Sequence, residues 1–372
     1  MIDDHVHPFP LRATPFDPAT ITLDVSDDSG ADERRHALAP GRLSIELLTV
    51  RLSRLLGCSP EEVAGVRDAA AAAEWRAYVR LLFDDAEIAG MVMDAAWRPD
   101  EAQPIVESVA EYAGLAGRPV WEMVRIDPLV DGLIEAGATA PEILDAVERL
   151  VTDAAVRGAV ALKTVLAYRT GLAVDPSADI STAGRSLDPA LPVRRRGKAL
   201  RDLVLRRTLG QAAEFGLPLQ VHTGFGDSDI RLAEANPLHL EEVLRTPEGR
   251  AASVVLIHGS FPWHEEVAYL ASVQPRVWVE ASEFNLFAPL TTADRLLRIL
   301  DVAPRDRVLL GSDGHGAPET HWFGCRVLLD AWPTVAERLA AAGARATWVE
   351  ETRRLVFEDN ARALYRLEPD VR

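Results

Sequence analysis

Val254-Val255-Leu256-Ile257-His258 is a short apolar run that ends abruptly in a histidine. Rich in β-branched residues and followed by a longer stretch with helical spacing, it reads as one βα unit. The same pattern recurs along the whole chain. Apolar runs at residues 2–7, 90–97, 120–127, 159–168, 217–224, 254–260, 277–281 and 308–313 give eight such units. Helices separate them: 141–156 starts on a proline and stops before Gly158, and 198–215 stops before Gly216. Eight strand-then-helix repeats predict an α/β protein folded as a (β/α)8 TIM barrel. The rival, an open doubly wound sheet, usually carries a Gly-rich phosphate loop after its first strand, and none is present.

One interval breaks the rhythm. Residues 8–89 form an insertion after strand one, with an irregular Pro- and Asp-rich start at 8–32 and helical periodicity at 42–56 and 60–83. It is expected to be a helical cap, because it leaves the strand end where barrel enzymes keep their active sites. Residues 171–193 form a second loop on the same face. The Ala-rich run 68–74 is read as helix, and residues 1–372 as a single domain.

Composition narrows the function. Hydrophobic residues at 48% supply enough material for a large core, and a net charge of −17 disfavours nucleic acid and anionic membranes as partners. The expected partner is a small-molecule substrate, and a homo-oligomer is compatible with the sequence. Cys58 and Cys325 stand far apart in no metal-binding pattern, and the N-terminus lacks a leader-like apolar run. A cytoplasmic location is the expectation.

Chemistry resides in a few polar residues on otherwise apolar strands. His5 and His7 are two apart, so they point to the same side of strand one. Lys163, His222, His258 and Asp313 each stand at or near the C-terminal end of a later strand. Charges buried there are costly unless paired or bound to a cation.

The order of HxH on strand one, Lys on four, His on five and six, and Asp on eight resembles the amidohydrolase superfamily, amidohydrolase family 2. Residues 162–172, 221–227, 235–240 and 311–315 resemble, more narrowly, the amidohydrolase domain that the fungal FluG and plant nodulin group carries fused to a glutamine-synthetase-like domain. The resemblance implies a divalent metal site. His5 and His7 would hold a first ion, with Asp313 on that ion or beside it as base, and His222 with His258 would complete a second site in two-ion members. Zinc is the expected ion, although manganese, iron or nickel suit the same ligand types. Lys163 would be either a carboxylated bridging ligand or an unmodified amine. With one ion only, His258 would orient the nucleophile or stabilise an oxyanion.

Asp313, His258 and Lys163 are thus the candidate catalytic residues, and the implied reaction is hydrolysis of a C–N amide bond by activated water. Arg169 is the candidate grip for a substrate carboxylate. Tyr168, Trp97, Glu122 and His315 are further candidates to line the pocket, and Asp227, Glu280 and Glu319 also lie at strand ends. His36, His239 and His264 fall in caps or helices and read as structural. A γ-glutamyl amide is the sharpest substrate expectation, resting on the resemblance alone. The alternatives are a mononuclear metal-dependent decarboxylase and a non-catalytic binding barrel.

Overall fold

The computed structural model describes residues 1–20, 31–95, 109–192 and 195–367. Eight parallel strands pair in sequence order: β1 Ile2–Val6, β2 Gly90–Asp94, β3 Val120–Arg125, β4 Ala161–Thr164, β5 Leu219–Val221, β6 Val254–Leu256, β7 Val277–Ala281 and β8 Val308–Leu310. The seam between β8 and β1 is joined by a single bridge, Val6 to Gly314. The Asp313 N–H donates to His5 O at 2.9 Å and the His7 N–H to Gly314 O at 2.7 Å. Asp3 reinforces the seam, its carboxylate accepting the Ser312 N–H and hydroxyl, both at 2.7 Å. The fold is therefore the expected (β/α)8 barrel.

All eight strands lie within the expected runs, but several ladders are shorter. The run expected at 217–224 pairs only over Leu219–Val221, and that at 254–260 only over Val254–Leu256. Beyond these ends the chain bends into the mouth. His258 and Asp313 take positive φ values of 66° and 55°, which a straight ladder does not contain.

The helices named here are α1 Leu43–Leu56, α2 Val63–Ala73, α3 Trp75–Asp85, α4 Val109–Ala116, α5 Ala140–Val156, α6 Lys198–Phe215, α7 His264–Val273, α8 Thr292–Val302 and α9 Pro318–Ala341. The stops read from sequence are present: Gly158 and Gly216 adopt φ of 87° and 66° just past α5 and α6. Ile2, Val92, Met123, Ala161, Val255 and Leu309 meet inside the barrel, and Tyr365 and Leu367 join them to close its floor. Outward residues such as Val6, Met93, Leu162, Leu256 and Val279 pack under the helices. Among the described residues, no helix is long and apolar enough to cross a membrane.

The insertion is not simply a cap. Its last helix, α3, packs between α4 and α9 and completes the outer ring, with Val79, Leu82 and Phe83 fully buried. On the same flank Arg51 of α1 pairs with Asp330 of α9 at 3.0 Å. Arg67 of α2 is only 1% exposed. Its Nε donates to Glu319 Oε1 at 2.6 Å, the Tyr78 hydroxyl donates to the same oxygen at 2.7 Å, and the Trp75 and Tyr78 rings lie 5.4 Å from the guanidinium. Glu319, expected at a strand end, is thus an anchor in the first turn of α9.

Removing one partner of a buried ion pair strands the other charge. Arg67→Met is therefore expected to cost about 3–5 kcal/mol in urea unfolding, and Arg67→Met with Glu319→Gln to recover a substantial part of that loss. Additive losses would show that the pair does not anchor the insertion.

Candidate metal centre

Strand parity builds the site. Side chains two residues apart share a face, and on β2, β3, β4 and β7 the inward position just above the apolar floor is polar. Val92 is followed by Asp94, Met123 by Arg125, Ala161 by Lys163 and Trp278 by Glu280, while β5 presents Gln220 and then His222. The β1 register shifts between Asp3 and Val6. That irregularity lets the side chains of both Asp4 and His5 reach the interior, where His5 bonds to Gln220 and the Asp4 carboxylate accepts from Gln220 and Tyr365.

Among the described residues, two groups of ligand-type atoms result, each within 4.8 Å: His5, His7 and Asp313, and His222, His258 and Glu283. Asp313 Oδ1 is 3.4 Å from the Nε2 of both His5 and His7. Lys163 Nζ is 2.9 Å from His5 Nε2, and His258 Nε2 is 3.0 Å from His222 Nδ1. The His5 and His258 rings, 5.4 Å apart, bring the groups side by side.

Hydrogen bonds fix the ring tautomers. Gln220 donates its amide N–H groups to Tyr365 and Asp4, so its Oε1 accepts from His5 Nδ1–H at 2.7 Å. The Ser282 hydroxyl donates to Glu280 at 2.7 Å and so accepts from His258 Nδ1–H at 2.9 Å. His222 Nε2–H donates to Phe225 O at 3.0 Å. Each outer nitrogen being committed, His5 Nε2, His258 Nε2 and His222 Nδ1 turn lone pairs inward. Facing lone pairs 3.0 Å apart repel unless a cation lies between them, so the donor set fits a divalent metal.

The electrostatics agree. Burial, followed by the charge of Lys163, pushes His222 down to about 3, and burial first also holds His5 and His258 well below the usual imidazole range. Burial and then Arg125 lower the Lys163 ammonium to about 8. Burial tends to raise Asp313, but the hydrogen bond and charge of His7, with His315 and Lys163, outweigh it and hold the carboxyl low. Glu280 and Glu283 are raised well above the carboxylate range, chiefly by burial.

Three ligand-type residues leave their strands with strained backbones. Glu283 has φ 60° and ψ −54°, and the Phe284 N–H donates to Ser282 O at 2.6 Å, which closes the rare, strained form of γ-turn. Such backbone costs of order 1–3 kcal/mol per residue. With His258 and Asp313 also at positive φ, strain concentrates where the ligand-type side chains converge.

Of the substrate candidates, the Tyr168 ring lies 4.6 Å from that of His222 and its hydroxyl accepts the Asp227 N–H. His315 is buried beside Asp313, its Nδ1 2.8 Å from Asp313 O. Arg169 lies just past β4, where its Nε donates to Asp131 at 2.8 Å. Glu122 is misplaced by parity: Met123 and Arg125 face inward, so Glu122 faces outward and binds Arg157 at 2.9 and 3.0 Å. Trp97 lies outside the described residues. His36 and His239 are exposed and bond locally, while His264 is buried with Nδ1 2.8 Å from Gly259 O, bracing the turn that carries His258.

Sequence reasoning missed Gln220, Asp94, Arg125, Glu283 and His321. Parity with His222 marks Gln220, whereas the strands of Asp94 and Arg125 carry no identified inward residue from which to set the phase. His321 reaches His7 O at 3.0 Å from α9, and nothing in the local sequence marks it.

The amidohydrolase family description matches residues 2–367, and the chain belongs to that family. It is 29% identical over 326 residues to Protein fluG of Emericella nidulans, a match covering 79% of this chain and 37% of fluG, so the chain spans well under half the length of that relative. Among solved structures, a chain from Lactobacillus casei described as a presumed metal-dependent hydrolase superposes with a TM-score of 0.86 at 21% identity, covering 100% of this chain and 96% of its own. A uronate isomerase from Thermotoga maritima follows with 0.69 at 14%, covering 98% and 94%. One from Bacillus halodurans gives 0.67 at 14%, covering 99% and 93%. At these identities the likeness is one of fold.

His264 yields a pH test independent of the ligand set. Burial lowers it to about 4 when folded, and unfolding returns it towards 6.5. Between those values the unfolded chain binds more protons, so stability is fully present above about pH 6.5 and falls as the pH drops towards 4. Metal-free protein is expected to show this fall in urea titrations, and His264→Asn to flatten it by up to about 1.4 kcal/mol per pH unit. Parallel pH profiles for the two proteins would refute the assignment.

Proposed function

We propose that the chain is a metal-dependent hydrolase cleaving a C–N amide bond in a small carboxylate-bearing molecule. The observation that carries this reading is the convergence of three imidazole lone pairs and an ionised Asp313 at one mouth of the barrel. A divalent ion, zinc foremost, held by His5, His7 and Asp313 would supply a Lewis acid and lower the pKa of water. The remaining chemistry belongs to the chain. Asp313, buried yet ionised, accepts the proton of the attacking water and returns it to the leaving nitrogen. His258 is oriented by Ser282, and Tyr168, its hydroxyl kept protonated by burial and by Asp227, donates a hydrogen bond at the pocket edge. Lys163 adds positive charge beside His5.

For the substrate carboxylate, Arg125 joins Arg169 as a candidate. Asp94 pins its guanidinium through Nε at 2.7 Å and Nη2 at 2.5 Å, which fixes a cation on the inner wall of the mouth. A γ-glutamyl amide is the narrow form of the proposal, supported by the resemblance to domains fused with glutamine-synthetase-like partners. Free thiols at Cys58 and Cys325 support a reducing, cytoplasmic setting.

Ion-loaded protein is expected to release amine from members of a γ-glutamyl amide panel, and chelation to abolish the release. Asp313→Asn should lower kcat by about 10²–10⁴-fold, while Arg125→Met should raise KM more than it lowers kcat. No amine from any panel member would sink the γ-glutamyl form. Release of CO2 from an aromatic acid, or isomerisation of a uronate, in its place would sink the hydrolase.

A further inference from the structure

We propose that Glu283 is the anionic ligand of a second divalent cation held with His222 and His258, so that the mouth carries two separately assembled cation sites and needs no modified Lys163 to join them. The inference rests on the reading of the mouth as a metal centre. His222 Nδ1 and His258 Nε2 face one another at 3.0 Å as lone pairs, because Phe225 O and Ser282 Oγ engage their other nitrogens. Two neutral imidazoles bring no charge to a dication, and a third, anionic donor is needed to offset its desolvation. Asp313 is occupied with His5 and His7. Lys163 stands with that same group, 2.9 Å from His5 Nε2.

Glu283 meets the requirement. It is only 5% exposed, its Oε2 has no hydrogen-bond partner, and that oxygen lies 3.5 Å from His258 Nδ1. Its ligand atom falls within 4.8 Å of those of both histidines. The γ-turn after β7 is what directs this side chain inward, a backbone state that a non-glycine residue adopts only under constraint. A buried carboxylate oxygen without a hydrogen-bond donor, set by a strained turn within 4.8 Å of the ligand atoms of both histidines, has a physical purpose if a cation completes the cluster.

The test is Zn2+ stoichiometry and affinity, read by calorimetry and elemental analysis on stripped and reloaded full-length protein, with circular dichroism to verify folding. Wild type is expected to bind two equivalents. E283Q should keep one and weaken the other at least tenfold, and E283A, which removes the side chain altogether, should do the same. K163M should keep both. The pair His5→Ala and His7→Ala should lose the first ion and retain the second. Two undiminished equivalents in E283Q and E283A would overturn the inference, as would a single equivalent in wild type or loss of the second ion in K163M. Failure of the metal-centre reading itself would look different, because His5→Ala with His7→Ala would then leave ion content unchanged.

Discussion

The barrel has one pleat of height in which to change from hydrocarbon to charge. Two residues along a strand span roughly 6.6 Å, and over that step Val92 gives way to Asp94, Met123 to Arg125 and Ala161 to Lys163. Groups so deeply buried are tolerable only when their hydrogen-bonding capacity is met. Gln220 is the hub that meets much of it. Set directly beneath the mouth, it joins His5 to Asp4 and Tyr365 through its own oxygen and nitrogen. The direction of that one amide decides which nitrogen His5 offers, so the apolar floor and the polar layer are tied through a single side chain.

The same economy governs closure. Only one bridge joins β8 to β1, and the backbone groups that supply its hydrogen bonds belong to His5, His7, Asp313 and Gly314. The residues that close the cylinder are therefore those that carry the ligand-type side chains. Asp3 stiffens the seam from outside, and burial raises its carboxyl to about 7 despite the donors of Ser312. Any displacement of β8 against β1 would move Asp313 relative to both histidines, which makes seam rigidity a condition for a stable centre. Glu319 extends this dependence to the insertion, because its anchor, Arg67, sits on α2 while Glu319 opens the helix that follows Asp313.

Strand identity was legible because eight apolar runs must be buried on both faces, and the ligand-type residues were legible because each interrupts such a run. What escaped the sequence was geometry that period-2 reasoning does not carry. The inward turn of Glu283 depends on a γ-turn that no residue pattern announces, and the irregularity in β1 is invisible in Ile2-Asp3-Asp4-His5. Glu122 shows the opposite failure: it stands near a strand end, but Met123 and Arg125 face the interior and so place it on the outer face, a phase that the run Val120–Arg125 alone does not declare. The expected cap failed in part for a simple reason, since a helix completing the ring and a helix covering the mouth have the same amphipathic periodicity.

These placements bear on how a reaction class is assigned within this family. The barrel is shared with uronate isomerases at identities that carry only the architecture, so the floor, the closure and the strand order cannot discriminate between bonds. Discrimination must come from side chains whose positions the architecture does not dictate. Arg125, pinned by Asp94 on the inner wall, and Glu283, aimed inward by backbone strain, are two such side chains. On the proposed reading one meets the charge of the substrate and the other that of a second ion, so the chemistry of this chain turns on residues that its most recognisable motif does not contain.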